Sequence, residues 1–166
     1  AGARLLELAL LPALVVGGIV LGHVAPLSGP RRASELARSI FLGAGLVLVP
    51  VAVIVAIAAW LLLWLFVVDF AGAVAVTRVL AVSAVPAAAI FIASPVGAVY
   101  AQRFLMACVA MALGANVAAN LVVIPRFEGL GAAWVNLATQ FGLAAVLVRG
   151  LMRRLSGGLD ASPVQS

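Results

Sequence analysis

The chain has 166 residues, of which 66% are apolar and 9% charged, against about 45–50% and about 25% in an ordinary soluble domain. So few polar residues cannot cover the surface of a water-soluble fold, which excludes a soluble core and calls for an apolar solvent. The ten basic residues are all Arg and outnumber five acidic ones, for a net charge of +5; the Arg residues flank apolar runs, as helix anchors do, and no nucleic-acid surface is expected.

The charges divide the chain into apolar runs at 8–30, 39–68, 79–102, 104–125 and 129–148. Crossing a hydrocarbon core of about 30 Å takes roughly 20 helical residues, so each run is long enough for one crossing. A transmembrane β-barrel would show strands of alternating polarity. Stretches such as VPVAVIVAIAAWLLLWLFVV do not alternate, so the expected fold is all-α: a polytopic transmembrane helix bundle with about five spans.

In chain order, the first helix is expected over about 5–24, closing near Pro26. A loop rich in turn residues follows, PLSGPRRASELARS, in which Ser34 is placed to cap the next helix. The second helix is expected over 37–65, kinked at Pro50. The third covers 74–92 and bends at Pro86, before the linker SPVGAVYAQR. The fourth covers 104–124 and stops at the turn PRFEG, punctuated by Pro125 and Gly129. The fifth covers 130–148. Residues 1–150 thus form one helical lobe, and 151–166 a polar, Gly/Ser-rich tail expected to be poorly ordered. The chain starts at Ala1 and its first residues lack a secretory signal, so it reads as a fragment.

Arg31, Arg32, Arg38, Arg103, Arg149, Arg153 and Arg154 fall on one side of a five-span layout, and Arg4, Arg78 and Arg126 on the other. That imbalance puts the loop between the first two helices, and the C-terminus, in the cytoplasm. Trp60, Trp64 and Tyr100 suit interfacial belts, although bulk facing lipid explains them equally well. The single cysteine, Cys108, lies in an apolar run. With no CxxC and no His/Cys cluster, neither a metal nor another cofactor is expected. His23 reads as a helix-end anchor.

The stretch 116–140, NVAANLVVIPRFEGLGAAWVNLATQ, carries the most information. Asn116 and Asn120 are four apart and share a helix face, as do Asn136 and Gln140. Amides in hydrocarbon are costly without partners, so all four should face a neighbouring helix or a wet cavity. Gly129, Gly131, Ala132 and Ala133 are small enough to let the fifth helix start close against the fourth. Packing and substrate contact both remain open on this chemistry alone.

The pattern of Asn116, Asn120, Leu121, Ile124, Pro125, Phe127, Gly129, Gly131, Ala132 and Ala133 resembles a signature of polysaccharide and O-antigen flippases. These belong to the multidrug/oligosaccharidyl-lipid/polysaccharide (MOP) exporter superfamily. That family has Gly sooner after the aromatic residue, where this chain interposes Glu128. The stretch from Leu61 to Pro86, with Asp69 and Phe70, is also similar to the family, with Val68 where Gly is usual. The resemblance spans about residues 10–150 and implies helices two to six of the second lobe of a two-lobe transporter.

It further implies a multi-pass protein of the bacterial cytoplasmic membrane, not an enzyme. Such a protein flips or exports lipid-linked oligosaccharide by alternating access, its partners being the bilayer, that glycan substrate and a missing N-terminal lobe. Asn116, Asn120, Asn136 and Gln140 are then candidates to line the cavity. Arg78 and Arg103 could meet a diphosphate, because guanidinium forks match phosphate oxygens; interface anchoring is the competing role for both. The alternatives are a cation-coupled multidrug or metabolite antiporter of the same superfamily, or a non-transporting membrane subunit of glycan assembly. An antiporter usually needs a carboxylate within the membrane, and no Asp or Glu lies well inside an expected span.

Overall fold

The computed structural model describes residues 15–46 and 71–156, and all its regular structure there is helical. Helix α1 is described over Val15–Val24 and α2 over 29–46. Helix α3 is Ala71–Tyr100 and α4 is Gln102–Ser156. Two of these, Arg78–Tyr100 within α3 and the whole of α4, are long and apolar enough to cross a membrane. Pro50, Trp60, Trp64, Asp69, Phe70 and Arg4, with the roles expected of them, lie outside the described residues.

Several expected boundaries move. The loop after the first helix shrinks to 25–28, and α2 begins at Gly29 and Pro30 rather than near 37. Pro30 suits a first helical turn, where its missing N–H has no partner to lose. Ser34 therefore caps nothing. It sits inside α2, and its hydroxyl donates to the Arg31 carbonyl at 2.9 Å. Helix α3 runs through Pro86 and on through Pro95, absorbing the expected linker. Pro95 has no N–H for the Phe91 carbonyl, and one residue earlier Ser94 Oγ donates to the Ile90 carbonyl at 2.6 Å.

Helix α4 is a hairpin rather than a rod. Its backbone leaves helical geometry at Glu128 (φ 51°, ψ −139°), dividing it into an arm over 102–127 (arm a) and an arm over 129–156 (arm b). Phe104 of arm a packs on Gly150 of arm b; a straight helix would hold them about 70 Å apart. The reversal thus lies beyond Pro125, which stays inside arm a. A proline in a helix ends nothing by itself; the turn forms where the left-handed residue stands. Arm b also runs past 150. Leu151 and Leu155 are buried in the core, so the first six residues of the expected tail are helical and packed.

The chain reverses between α3 and arm a as well. A Cβ on Gly97 would lie 3.6 Å from Leu105 Cβ, whereas eight residues of continuous helix rise about 12 Å. The main core lies where α1, α2, α3 and the end of arm b meet: Val24, Leu36, Ile92, Val96, Leu147 and Leu151 are all fully buried. Helix α1 approaches α3 so closely that a Cβ on Gly17 would lie 2.7 Å from the Phe91 carbonyl oxygen. Small residues at such crossings are what let membrane helices gain packing energy without a hydrophobic drive between them.

This packing gathers Arg residues at one end. Tyr100 Oη donates to the Ala25 carbonyl at 3.3 Å. Arg32 donates to the same oxygen, also at 3.3 Å, and its guanidinium lies 4.3 Å over the Tyr100 ring. Arg154 lies 4.7 Å over the Phe104 ring. The opposite end carries the Glu128 turn and the small cluster of Val79, Ala133 and Leu137, where α3 meets arm b. Replacing Tyr100 with Phe keeps the ring under Arg32 but removes the hydroxyl, which should cost about 1 kcal/mol. Thermal unfolding in detergent measures this; an unchanged midpoint would show that the hydroxyl contributes nothing.

The outer surface is apolar. Phe41 is 80% exposed and Leu121 74%, and such side chains recur along the outer face of both arms. A surface of this kind suits hydrocarbon, not water.

Candidate functional site

The amide residues of the stretch 116–140 come together across the α4 hairpin. Asn120 Nδ2 donates to Asn116 Oδ1 at 2.9 Å, and Asn116 Nδ2 donates across the hairpin to Thr139 Oγ1 at 3.4 Å. Thr139 in turn donates to the Val135 carbonyl at 2.8 Å. Donors therefore run in one direction from arm a to arm b, a relay in which each bond polarises the next. On arm b, Gln140 Nε2 donates to Asn136 Oδ1 at 3.5 Å.

Helical periodicity explains the arrangement. Asn116 and Asn120 stand beside the stripe of Cys108, Met111 and Ala115 that faces arm b, not on it. Asn136 and Gln140 lie between two stripes of arm b. One, containing Thr139 and Leu143, faces arm a; the other, containing Ala133 and Leu137, faces α3. With the register set by Asn116 and Thr139, Asn120 stands level with Asn136 and Asn116 with Gln140. Both pairs thereby flank the groove in which α3 packs.

Two oxygens in this group are buried and accept no hydrogen bond: Asn120 Oδ1 and Gln140 Oε1. A buried carbonyl without a donor costs free energy comparable to a lost hydrogen bond. Each of these oxygens can accept a hydrogen bond from a water or a ligand hydroxyl. Beside Asn120, a cavity of about 330 Å³ is lined by arm a alone, through Asn116, Val117, Asn120, Leu121, Ile124 and Pro125. The two amides are its polar wall and the arm a residues up to Pro125 its apolar one.

The remaining candidates separate by geometry. Gly131 sits against the end of arm a, where a Cβ would meet Val123 Cγ1 and Phe127 Cβ at 2.6 Å each. Ala133 is buried against Val79 of α3. Gly129 faces open space, and Ala132 is half-buried, so close approach of the arms rests on Gly131. Arg78 and Arg103 are exposed. Arg103 lies at the Arg-rich end, roughly 20 Å along arm a from Asn116. Arg78 stands beside Val79 on the side of the turn, and the structure brings neither Arg into hydrogen-bond contact with the amides. His23 is exposed in the last turn of α1. Cys108 is a free thiol buried between the arms. No group of three metal-binding side chains occurs among the described residues.

Thr139 and Ser83 are the polar residues that sequence reasoning passed over. Thr139 completes the cross-arm relay. Ser83 is fully buried and donates to the Leu80 carbonyl at 2.6 Å, one turn along α3 from Val79. Thr139 lies between Asn136 and Gln140 in sequence, but only the hairpin register reveals that it faces Asn116.

Compared with protein-family models, with curated proteins and with solved structures, the chain matches none.

Proposed function

We propose that the chain is most of one lobe of a membrane transporter that flips or exports lipid-linked oligosaccharide by alternating access. The observation that carries this reading is the amide relay Asn120–Asn116–Thr139 beside an open cavity. It lies within the stretch 116–140, whose pattern resembles the polysaccharide flippases. A glycan head group needs hydrogen-bonding partners where hydrocarbon offers none, and neutral amides supply them without a buried charge.

In this reading α1, α2, α3 and the two arms of α4 are five membrane spans, and each arm exceeds the roughly 20 residues a crossing requires. The Arg-rich end faces the cytoplasm of a bacterial cell and the Glu128 turn faces outward. Glu128 has a further bearing on the resemblance. It adopts a positive φ that glycine reaches without strain, at the place where the flippase pattern has its earlier Gly. The antiporter alternative is less well supported. Of the described carboxylates, Glu35 pairs with Arg38 at 3.9 Å on α2 and Glu128 is exposed at the turn, so neither reaches the amides.

Translocation of a fluorescent lipid-linked glycan in proteoliposomes, using the full reading frame, tests the proposal. Replacing Asn116 and Asn120 with Ala should slow translocation at least about tenfold, the equivalent of one lost hydrogen bond in the transport barrier, while helix content holds. Absence of movement under every imposed ion gradient would sink the flippase reading. Unfolding of the double variant, in place of slowed transport, would assign the amides to packing.

A further inference from the structure

The α4 hairpin has a second concavity, on the side turned away from α3. It is a crevice of about 270 Å³ between the arms, lined chiefly by Met111, Ala112 and Ala115 of arm a and Thr139, Gly142 and Val146 of arm b. Its lining is apolar apart from the buried Cys108 thiol and Thr139, whose hydroxyl is already bonded to the Val135 carbonyl. Met111 is 64% and Val146 51% exposed, so the crevice opens outward. The stripe of arm b that packs inward, with Leu137, Ala144, Leu147 and Leu151, is a different one.

Along arm b, Gly142 and Val146 are followed at helical spacing by Arg149 and Arg153, which continue the same stripe. Both guanidinium groups are exposed. Arg153 stands about 10 Å beyond Val146 along the helix axis. An apolar slot that ends in two cations at the Arg-rich end of a membrane helix complements a molecule with an aliphatic chain and a phosphate. Lys and Arg near an anionic bilayer surface each contribute about 1 kcal/mol of attraction.

We propose that this crevice binds one acyl chain of an anionic phospholipid, whose phosphate is held by Arg149 and Arg153. The occupant is a lipid of the surrounding bilayer because the crevice opens away from the groove where the amides stand. The site requires only that the chain lie in a bilayer. It is independent of what, if anything, the protein transports.

The test uses the chain in phosphatidylcholine nanodiscs doped with phosphatidylglycerol that carries a diazirine on one acyl chain. After irradiation, adducts should map to Met111–Ala115 and Gly142–Val146. The double substitution Arg149→Gln/Arg153→Gln should lower the yield at least about tenfold, two cations being removed. Gly142→Leu should do the same with both Arg in place, because a Cβ there meets nothing within 4 Å and the rest of the side chain extends into the crevice that Gly142 lines. Far-UV circular dichroism verifies that each variant remains helical; if the Arg double variant does not fold, Gly142→Leu decides. Equal labelling of the same residues by diazirine phosphatidylcholine would overturn the proposal, as would adducts spread evenly along the exposed face of α4. So would displacement of the probe by a polyprenyl phosphate at a lower mole fraction than unlabelled phosphatidylglycerol requires, since the occupant would then be a different lipid.

Discussion

Gly131→Leu should lower the stability of the folded chain by about 3 kcal/mol, the upper part of the usual range for overpacking. The reason is geometric. Even the first carbon of a side chain would lie 2.6 Å from Phe127 Cβ and from Val123 Cγ1. Phe127 Cβ is fixed to the backbone, and Val123 is β-branched and stiff at χ1, so neither neighbour can rotate away cheaply. The strain would open the turn and move arm b outward, separating Asn116 from Thr139 as well. Gly129→Leu is the matched control, because a Cβ there meets nothing within 4 Å and the position is exposed. Thermal unfolding in one detergent should place the Gly131 variant well below wild type and the Gly129 variant near it. Equal melting of the two variants would mean that the arms do not meet as closely as described.

Glu128 should respond in the opposite sense to the loss of its side chain. Its φ of 51° with ψ of −139° lies where an L-residue crowds its own backbone, at a cost of order 1–3 kcal/mol. Glycine carries no Cβ and avoids that cost, although it gives back part of the gain through the greater entropy of the unfolded chain. Glu128→Gly should therefore stabilise by about 1 kcal/mol, and β-branched Glu128→Val should destabilise by about 1–2 kcal/mol. Glu128→Gln removes the charge at constant shape and should fall within about 0.5 kcal/mol of wild type. The expected order of melting temperatures is Gly, then Glu and Gln together, then Val. If the Val variant matched wild type, the reversal would owe nothing to the conformation of this residue.

The candidate site was legible in part. Spacing of four residues was enough to place Asn116 with Asn120 and Asn136 with Gln140, and both contacts form within their own arms. Nothing local could pair Asn116 with Thr139, because the contact joins residues 23 apart and its register depends on where the chain turns. Arg78 and Arg103 have the chemistry to meet a diphosphate, yet helix positions leave both on the surface away from the amides. Gly129 and Gly131 look equivalent as letters, but helical phase turns one to open space and the other onto Val123.

Composition and the lengths of the charge-free runs determined by themselves that the described residues are helical and that the chain suits an apolar solvent. Those properties depend on which residues occur and how far apart the charges stand, and they need no knowledge of neighbours. The helix ends were decided by tertiary structure. Pro95 and Pro125 look like stops, yet both lie inside helices, and Leu151 and Leu155 belong to the core because α1, α2 and α3 bury them. The place of the α4 reversal was decided in the same way: the turn falls at Glu128, where Gly131 lets arm b close against arm a. Backbone propensity is a matter of tenths to a few kcal/mol per residue, and the packing of a whole helix face outweighs it.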